Sequence, residues 1–167
     1  MSRVGAADED LSGRTDTRAA MTDIRDILEA FDLLGDWEQR YQYLVELGER
    51  LPPMAETDRT EENRVKPCMS QVWIATAPDP QRAGTVRMTG DCDTAIIKGV
   101  VALLASLCDG KTPAEILALD FDSLFEGMKL AEHLSPSRHV GIFAIVEKIR
   151  EQASRQPGSA DLQRRPA

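Results

Sequence analysis

The run Pro67-Cys68-Met69-Ser70-Gln71-Val72-Trp73-Ile74, carried on through Ala75-Thr76-Ala77, marks the point where a charged loop turns into an alternating strand. Behind it, residues 52–67 are polar with proline at both ends. Ahead of it, Thr85 to Thr89 alternates again, with Val86 and Met88 directed inward and Arg87 outward. The Pro78-Asp79-Pro80 and Gly84 punctuation between the two runs predicts a hairpin. Asn63 to Val65 is the candidate for a short third strand. The expectation is a small antiparallel three-stranded sheet with helices packed on one side, an α+β fold.

Further out, the apolar spacing changes from two to a helical period. Ile24, Ile27, Leu28 and Phe31 share one helical face, and Gly35 supplies a stop. Asp36 followed by Gln39 has the capping-box pattern for a second helix, whose buried stripe is Trp37, Tyr41, Leu44, Val45 and Leu51, ended by Pro52-Pro53. Beyond the hairpin, Asp93 reads as the cap of a third helix, apolar on nearly all sides from Ile96 to Leu107 and closed by Gly110. A helix like that is the buried centre of a domain. Thr112-Pro113-Ala114-Glu115 is another capping box, and Ser135-Pro136 opens the last helix, with Ile142, Ile145, Val146 and Ile149 as its core face. Residues 1–20 read as a disordered extension, 21–153 as one domain and 154–167 as a flexible tail.

The whole chain narrows the function classes. Its 167 residues suit one domain, and 42% hydrophobic with 29% charged residues is ordinary for a globular protein. A net charge of −8 argues against nucleic acid and against an anionic membrane surface. No window approaches a membrane span. Asp8, Glu9, Asp10 and Asp16 without an apolar core do not make a secretory signal. Three cysteines without close spacing do not make a disulfide framework, so a reducing cytoplasm is the expected home.

Cys68 lies outside any apolar stripe, with Lys66 and Pro67 before it and Ser70 and Gln71 after it. Nearby cations and partial exposure stabilise a thiolate, the reactive form of sulfur. That setting alone leaves two readings open, a nucleophile or a loop thiol of no consequence. His133 and His139 are both distant in sequence, so no acid–base triad is expected. Trp73 reads as a core anchor. Arg138, beside the start of the last helix, sits where anions are favoured over cations, so it calls for a carboxylate partner.

Four segments carry a resemblance. Cys68 to Ile74 is similar to the active-cysteine segment of SufE-type sulfur acceptors, Cys-x-Ser-Gln-Val-Trp. Asp36 to Gly48 resembles that family's Trp-x-x-x-Tyr-x-Tyr helix, Gly90 to Gly99 its Gly-Asp-Ser-Asp-Ala segment, and His133 to Arg138 its late Leu-(Ser/Thr)-Pro-Ser-Arg turn. Order and rough spacing match across about residues 23–153. Two positions depart from the pattern: Pro67 stands where glycine is frequent, and Cys92 where serine is common.

The resemblance to the cysteine desulfuration proteins (SufE/CsdE) implies a SufE/IscU-like fold and a carrier rather than a stand-alone enzyme. Sulfur would pass as persulfide from a SufS-like cysteine desulfurase onto Cys68, with stimulation of the desulfurase, and on to a SufB-like scaffold for iron–sulfur cluster assembly. Pyridoxal phosphate would belong to the desulfurase, with no cofactor or metal in this chain. The resemblance also implies a cysteine that rests in a hydrophobic pocket and swings out to the partner. Leu51, Met54, Val65 and Met69 are then pocket walls or plain core, Gln71 shapes the cysteine loop, and the turn at Asp93 lies beside it. Arg138 would meet a carboxylate on the desulfurase or within this protein. The competing class is an IscU-like scaffold binding zinc or a nascent cluster, although close cysteine pairs are missing. A thiol peroxidase would need an activating Thr or Arg that the flanks of Cys68 do not spell. Monomer and dimer both remain open.

Overall fold

The computed structural model describes residues 23–66 and 70–159. Two helices, α1 (Ile24–Leu33) and α2 (Trp37–Glu49), precede a hairpin of β1 (Val72–Pro78) and β2 (Val86–Cys92). Then come α3 (Ala95–Cys108), the short α4 (Pro113–Leu117), α5 (Phe121–Gly127) and α6 (Leu130–His133), and the long α7 (Pro136–Arg155). The architecture is α+β. The expected extension over 1–20, the last residues of the expected tail, and Pro67, Cys68 and Met69 lie outside the described residues.

Local chemistry sets the helix starts. Asp23 and Asp36 accept from the amides of Arg25 and Gln39, both at 2.8 Å. Thr112 and Glu115 exchange both bonds of a capping box at 3.0 and 3.1 Å, with Pro113 at the first helical position. Each bond satisfies an amide that the first turn leaves without an intrahelical acceptor.

α3 is the centre, as its all-round apolar character requires: Val100, Val101, Leu103 and Leu104 are wholly buried. α2 crosses it at a glycine pair. A Cβ on Gly99 would stand 2.1 Å from the Leu44 carbonyl oxygen, and one on Gly48 would stand 2.9 Å from the Gly99 nitrogen. Only hydrogen on both α-carbons lets the backbones meet this closely. On α2 the buried set is Leu44, Leu47 and Gly48, whereas Val45 is only half-buried. α7 buries Ile142, Ile145, Val146 and Ile149, the expected face.

β1 and β2 pair antiparallel from Val72↔Cys92 to Pro78↔Val86, and Val72, Ile74, Val86 and Met88 point into the core. Among the described residues the sheet has two strands rather than the expected three. Asn63 to Val65 makes only one bridge, Arg64↔Trp73, through Val65 N–H to the Val72 carbonyl (2.8 Å) and Ile74 N–H to the Asn63 carbonyl (2.9 Å). A longer third strand has no place because α7 occupies the edge. The Gln152 amide donates to the Ile74 carbonyl at 2.6 Å, and Gln156 donates to the Thr76 carbonyl at 3.1 Å. Two glutamine side chains thus satisfy what a neighbouring strand would have paired, and they close an edge otherwise open to association. Among the described residues no helix is long and apolar enough to cross a membrane.

Candidate functional site

The segment around Cys68 is defined by what holds its two ends. Val65 N–H donates to the Val72 carbonyl at 2.8 Å, so the described residues before and after positions 67–69 are held together. The exit is fastened a second time. Gln71 N–H donates to Asp93 Oδ1 at 3.0 Å, and Asp93 N–H donates to the Gln71 carbonyl at 3.2 Å. Ser70 Oγ and Thr94 Oγ1 share a hydrogen bond at 2.6 Å. Ser70 and Gln71 are therefore tied to the turn that opens α3.

Asp93 is not the helix cap that its position suggests. Thr94 occupies the cap position of α3, and no side chain caps it there. The Asp93 carboxylate instead accepts from Gln71 N–H and, at 3.3 Å, from the Thr94 hydroxyl. Gln71 is exposed, and its described contacts are made by its backbone rather than by its amide side chain.

Trp73 is also not a core anchor. It lies half-buried on the outward face of β1, opposite Asp91 in register, with the Arg59 guanidinium 5.4 Å above its ring. Asp91 pairs with Arg59 Nη2 at 2.5 Å and with Lys98 Nζ at 3.3 Å. Partial burial works to raise the Asp91 pKa. The bonds from the Cys92 amide, Arg59 and Lys98 outweigh it, and the carboxyl is held below its ordinary range. This cluster and the Ser70–Thr94 pair escaped the sequence reading. The signal was there in part: period two puts Asp91 on the face of Trp73, and Lys98 falls one turn after Thr94.

Two cysteines are described. Cys92 is buried on the inner face of β2, and its sulfur accepts from Thr94 N–H at 3.4 Å. Cys108 is buried at the end of α3, and burial pushes its thiol up to about 12. Leu51, Met54 and Val65 are buried as well, the first and last within the main core cluster.

Arg138 is half-buried in the first turn of α7 and forms no ion pair among the described residues. It bonds to neither Gln71 nor Asp93. Just before it, the His133 ring stacks on Trp37 at 3.7 Å, and the Tyr41 hydroxyl donates to the His133 carbonyl. The four sequence segments therefore meet: Asp36–Gly48 and His133–Arg138 through Trp37, Tyr41 and His133, Asp36–Gly48 and Gly90–Gly99 through Gly48 and Gly99, and Cys68–Ile74 and Gly90–Gly99 through Gln71 and Asp93.

A family model described as "SufE: Fe-S metabolism associated domain" matches residues 25–153. The solution structure of a hypothetical protein from Thermus thermophilus is similar in fold, with a TM-score of 0.64 and 24% sequence identity. The likeness covers 78% of this chain and 92% of that one.

Proposed function

The chain belongs to the SufE family, a domain associated with iron–sulfur metabolism, and from that premise we propose that it is a sulfur acceptor for a cysteine desulfurase. Cys68, as thiolate, attacks the outer sulfur of a persulfide on the desulfurase cysteine. The sulfur–sulfur bond there breaks, that cysteine leaves as thiolate, and the transferred sulfur stays bonded to Cys68 as a new persulfide. The exchange follows thiol–disulfide chemistry and needs no external oxidant or reductant. The persulfide then passes to a SufB-like scaffold, and removal of sulfur speeds the desulfurase. This chain supplies no cofactor; pyridoxal phosphate acts within the desulfurase. A reducing cytoplasm suits the free thiolate.

The observation that supports this reading is the set of bonds that fixes the described residues on either side of Cys68. A carrier thiol must reach into another protein's active site, and a short loop with fixed ends does so at a lower ordering cost than a free segment. The Val65–Val72 bond and the paired Gln71–Asp93 bonds supply those ends. Gln71 and Asp93 support the loop, and Arg138, with no ion pair among the described residues, offers its charge to a carboxylate on the desulfurase.

Mixing the chain with a SufS-like desulfurase and cysteine, and following alanine release, tests the proposal. The chain should accelerate release. Arg138→Ala should need a higher concentration for the same effect, and added salt should narrow the difference. Failure of the wild-type chain to stimulate any such desulfurase would overturn the reading.

A further inference from the structure

We propose that the groove between α5–α6 and α7 is a docking site for a partner-protein segment that presents one large apolar side chain next to a lysine or arginine. This inference does not draw on Cys68 or on the sulfur-carrier reading. The groove encloses about 310 Å³, at the small end of ligand pockets, which run from about 300 to 1,000 Å³. Leu130, Leu134, Ile142 and Val146 form its buried floor, and Phe125 and Phe143 also line it. Phe143 is 62% exposed, and Val140, one turn earlier on α7, is 54% exposed. Large apolar side chains in contact with water around an apolar cleft are the mark of an interaction surface.

Two polar features say what the occupant carries. His139 lines the groove, and its Nε2 is buried without a hydrogen-bond partner among the described residues. Leaving such an atom unpaired is costly, and a backbone N–H or C=O of a docked segment would satisfy it. The other feature is charge. Arg150 is already engaged, with Glu147 at 2.9 Å and over the Phe121 ring at 5.3 Å. Asp122 and Glu126, exposed along the α5 side, form no ion pair among the described residues. The unmatched charge at the rim is therefore negative, and it selects a cation beside the apolar anchor. A second copy of the chain fits less well, because a twofold interface sets the same patch against itself and two acidic rims would face each other.

The test uses the full chain and two synthetic peptides of about twelve residues, roughly three helical turns. One carries a central tryptophan flanked by lysines, and its twin carries glutamates instead. The lysine peptide should saturably shift the amide NMR signals of Ile142, Phe143 and Val146 and the imidazole signals of His139. The glutamate twin should bind roughly tenfold or more weakly. Phe143→Glu, at an exposed position that leaves the fold intact by circular dichroism, should abolish binding. The double variant Asp122→Asn, Glu126→Gln should bring the two peptides to equal affinity. Equal binding of the twins to the wild type, shifts confined to another face, or no binding of the lysine peptide would overturn the proposal. So would a dimer in sedimentation that Phe143→Glu dissociates, which would give the groove to a second copy.

Discussion

Gln71 and Asp93 hold each other by two hydrogen bonds that run in opposite senses, amide to carboxylate at 3.0 Å and amide to carbonyl at 3.2 Å. The pair extends the β1–β2 ladder by one step beyond Val72↔Cys92 and uses a side chain where the backbone no longer reaches. Asp93→Ala removes the acceptor and should cost about 1 kcal/mol of stability, the usual net worth of such a bond. Asp93→Asn keeps an oxygen in place and should cost less. If the bond restrains the loop, Cys68 should be alkylated faster in the alanine variant and at the wild-type rate in the asparagine variant. Equal rates in all three proteins would show that the bond does not govern the loop.

The crossing of α2 and α3 makes a second expectation. Gly99→Ala sets a methyl carbon 2.1 Å from the Leu44 backbone oxygen, and neither helix can yield locally. Overpacking of this kind costs about 1–3 kcal/mol or more. Gly48→Ala, with its nearest atom at 2.9 Å, should cost less. Gly127→Ala, with nothing within 4 Å and an ordinary backbone angle, should be neutral or stabilising by up to about 1 kcal/mol. Denaturant midpoints of the three variants should fall in that order.

Asp91 gives the acid side of stability a recognisable signature. Its carboxyl is held below the ordinary range, so its stabilising contribution is present above the unfolded-state pKa and is lost as pH falls through the folded one. Arg59→Met removes one of its two cations and should raise that carboxyl toward its ordinary value. The wild type should thus be more stable than the variant at neutral pH, with the gap closing as pH falls through and below the ordinary carboxylate range. Unfolding curves of both proteins across that range check it. A gap that stays constant or widens on acidification would be inconsistent with the pairing.

The Cys108 thiol, pushed up to about 12 by burial, should remain unreactive toward iodoacetamide near neutral pH until the protein unfolds. Alkylation followed by peptide mass spectrometry measures this. Modification of Cys108 in the native state at the rate of an exposed thiol would contradict its placement.

Much of this architecture was legible in residue spacing. Helical periodicity found α1, α2, α3 and α7, and the Thr112–Glu115 box marked α4 because capping is local chemistry. What depends on tertiary contact was not legible. Asn63 to Val65 has the composition of a strand, but whether an edge is extended by a strand or closed by glutamines is decided by where α7 lies. Trp73 alternates with Val72 and Ile74, so the pattern assigns it to the other face, yet bulk alone suggested the core. Asp93 has the side chain of a cap; only the position of Gln71 shows that its carboxylate is used elsewhere. Arg59 could not be found from a loop of mixed charge, since its partners Trp73 and Asp91 come from two different strands.

The location of transferred sulfur tests the role of Cys68 as acceptor most directly. The chain is incubated with a cysteine desulfurase and cysteine, quenched with an alkylating agent, digested and read by mass spectrometry. One added sulfur is expected on the peptide that carries Cys68, none on those carrying Cys92 or Cys108, and neither sulfur nor stimulation in Cys68→Ser with its fold retained. Sulfur appearing first on Cys92, or a Cys68→Ser variant that still stimulates the desulfurase, would contradict it.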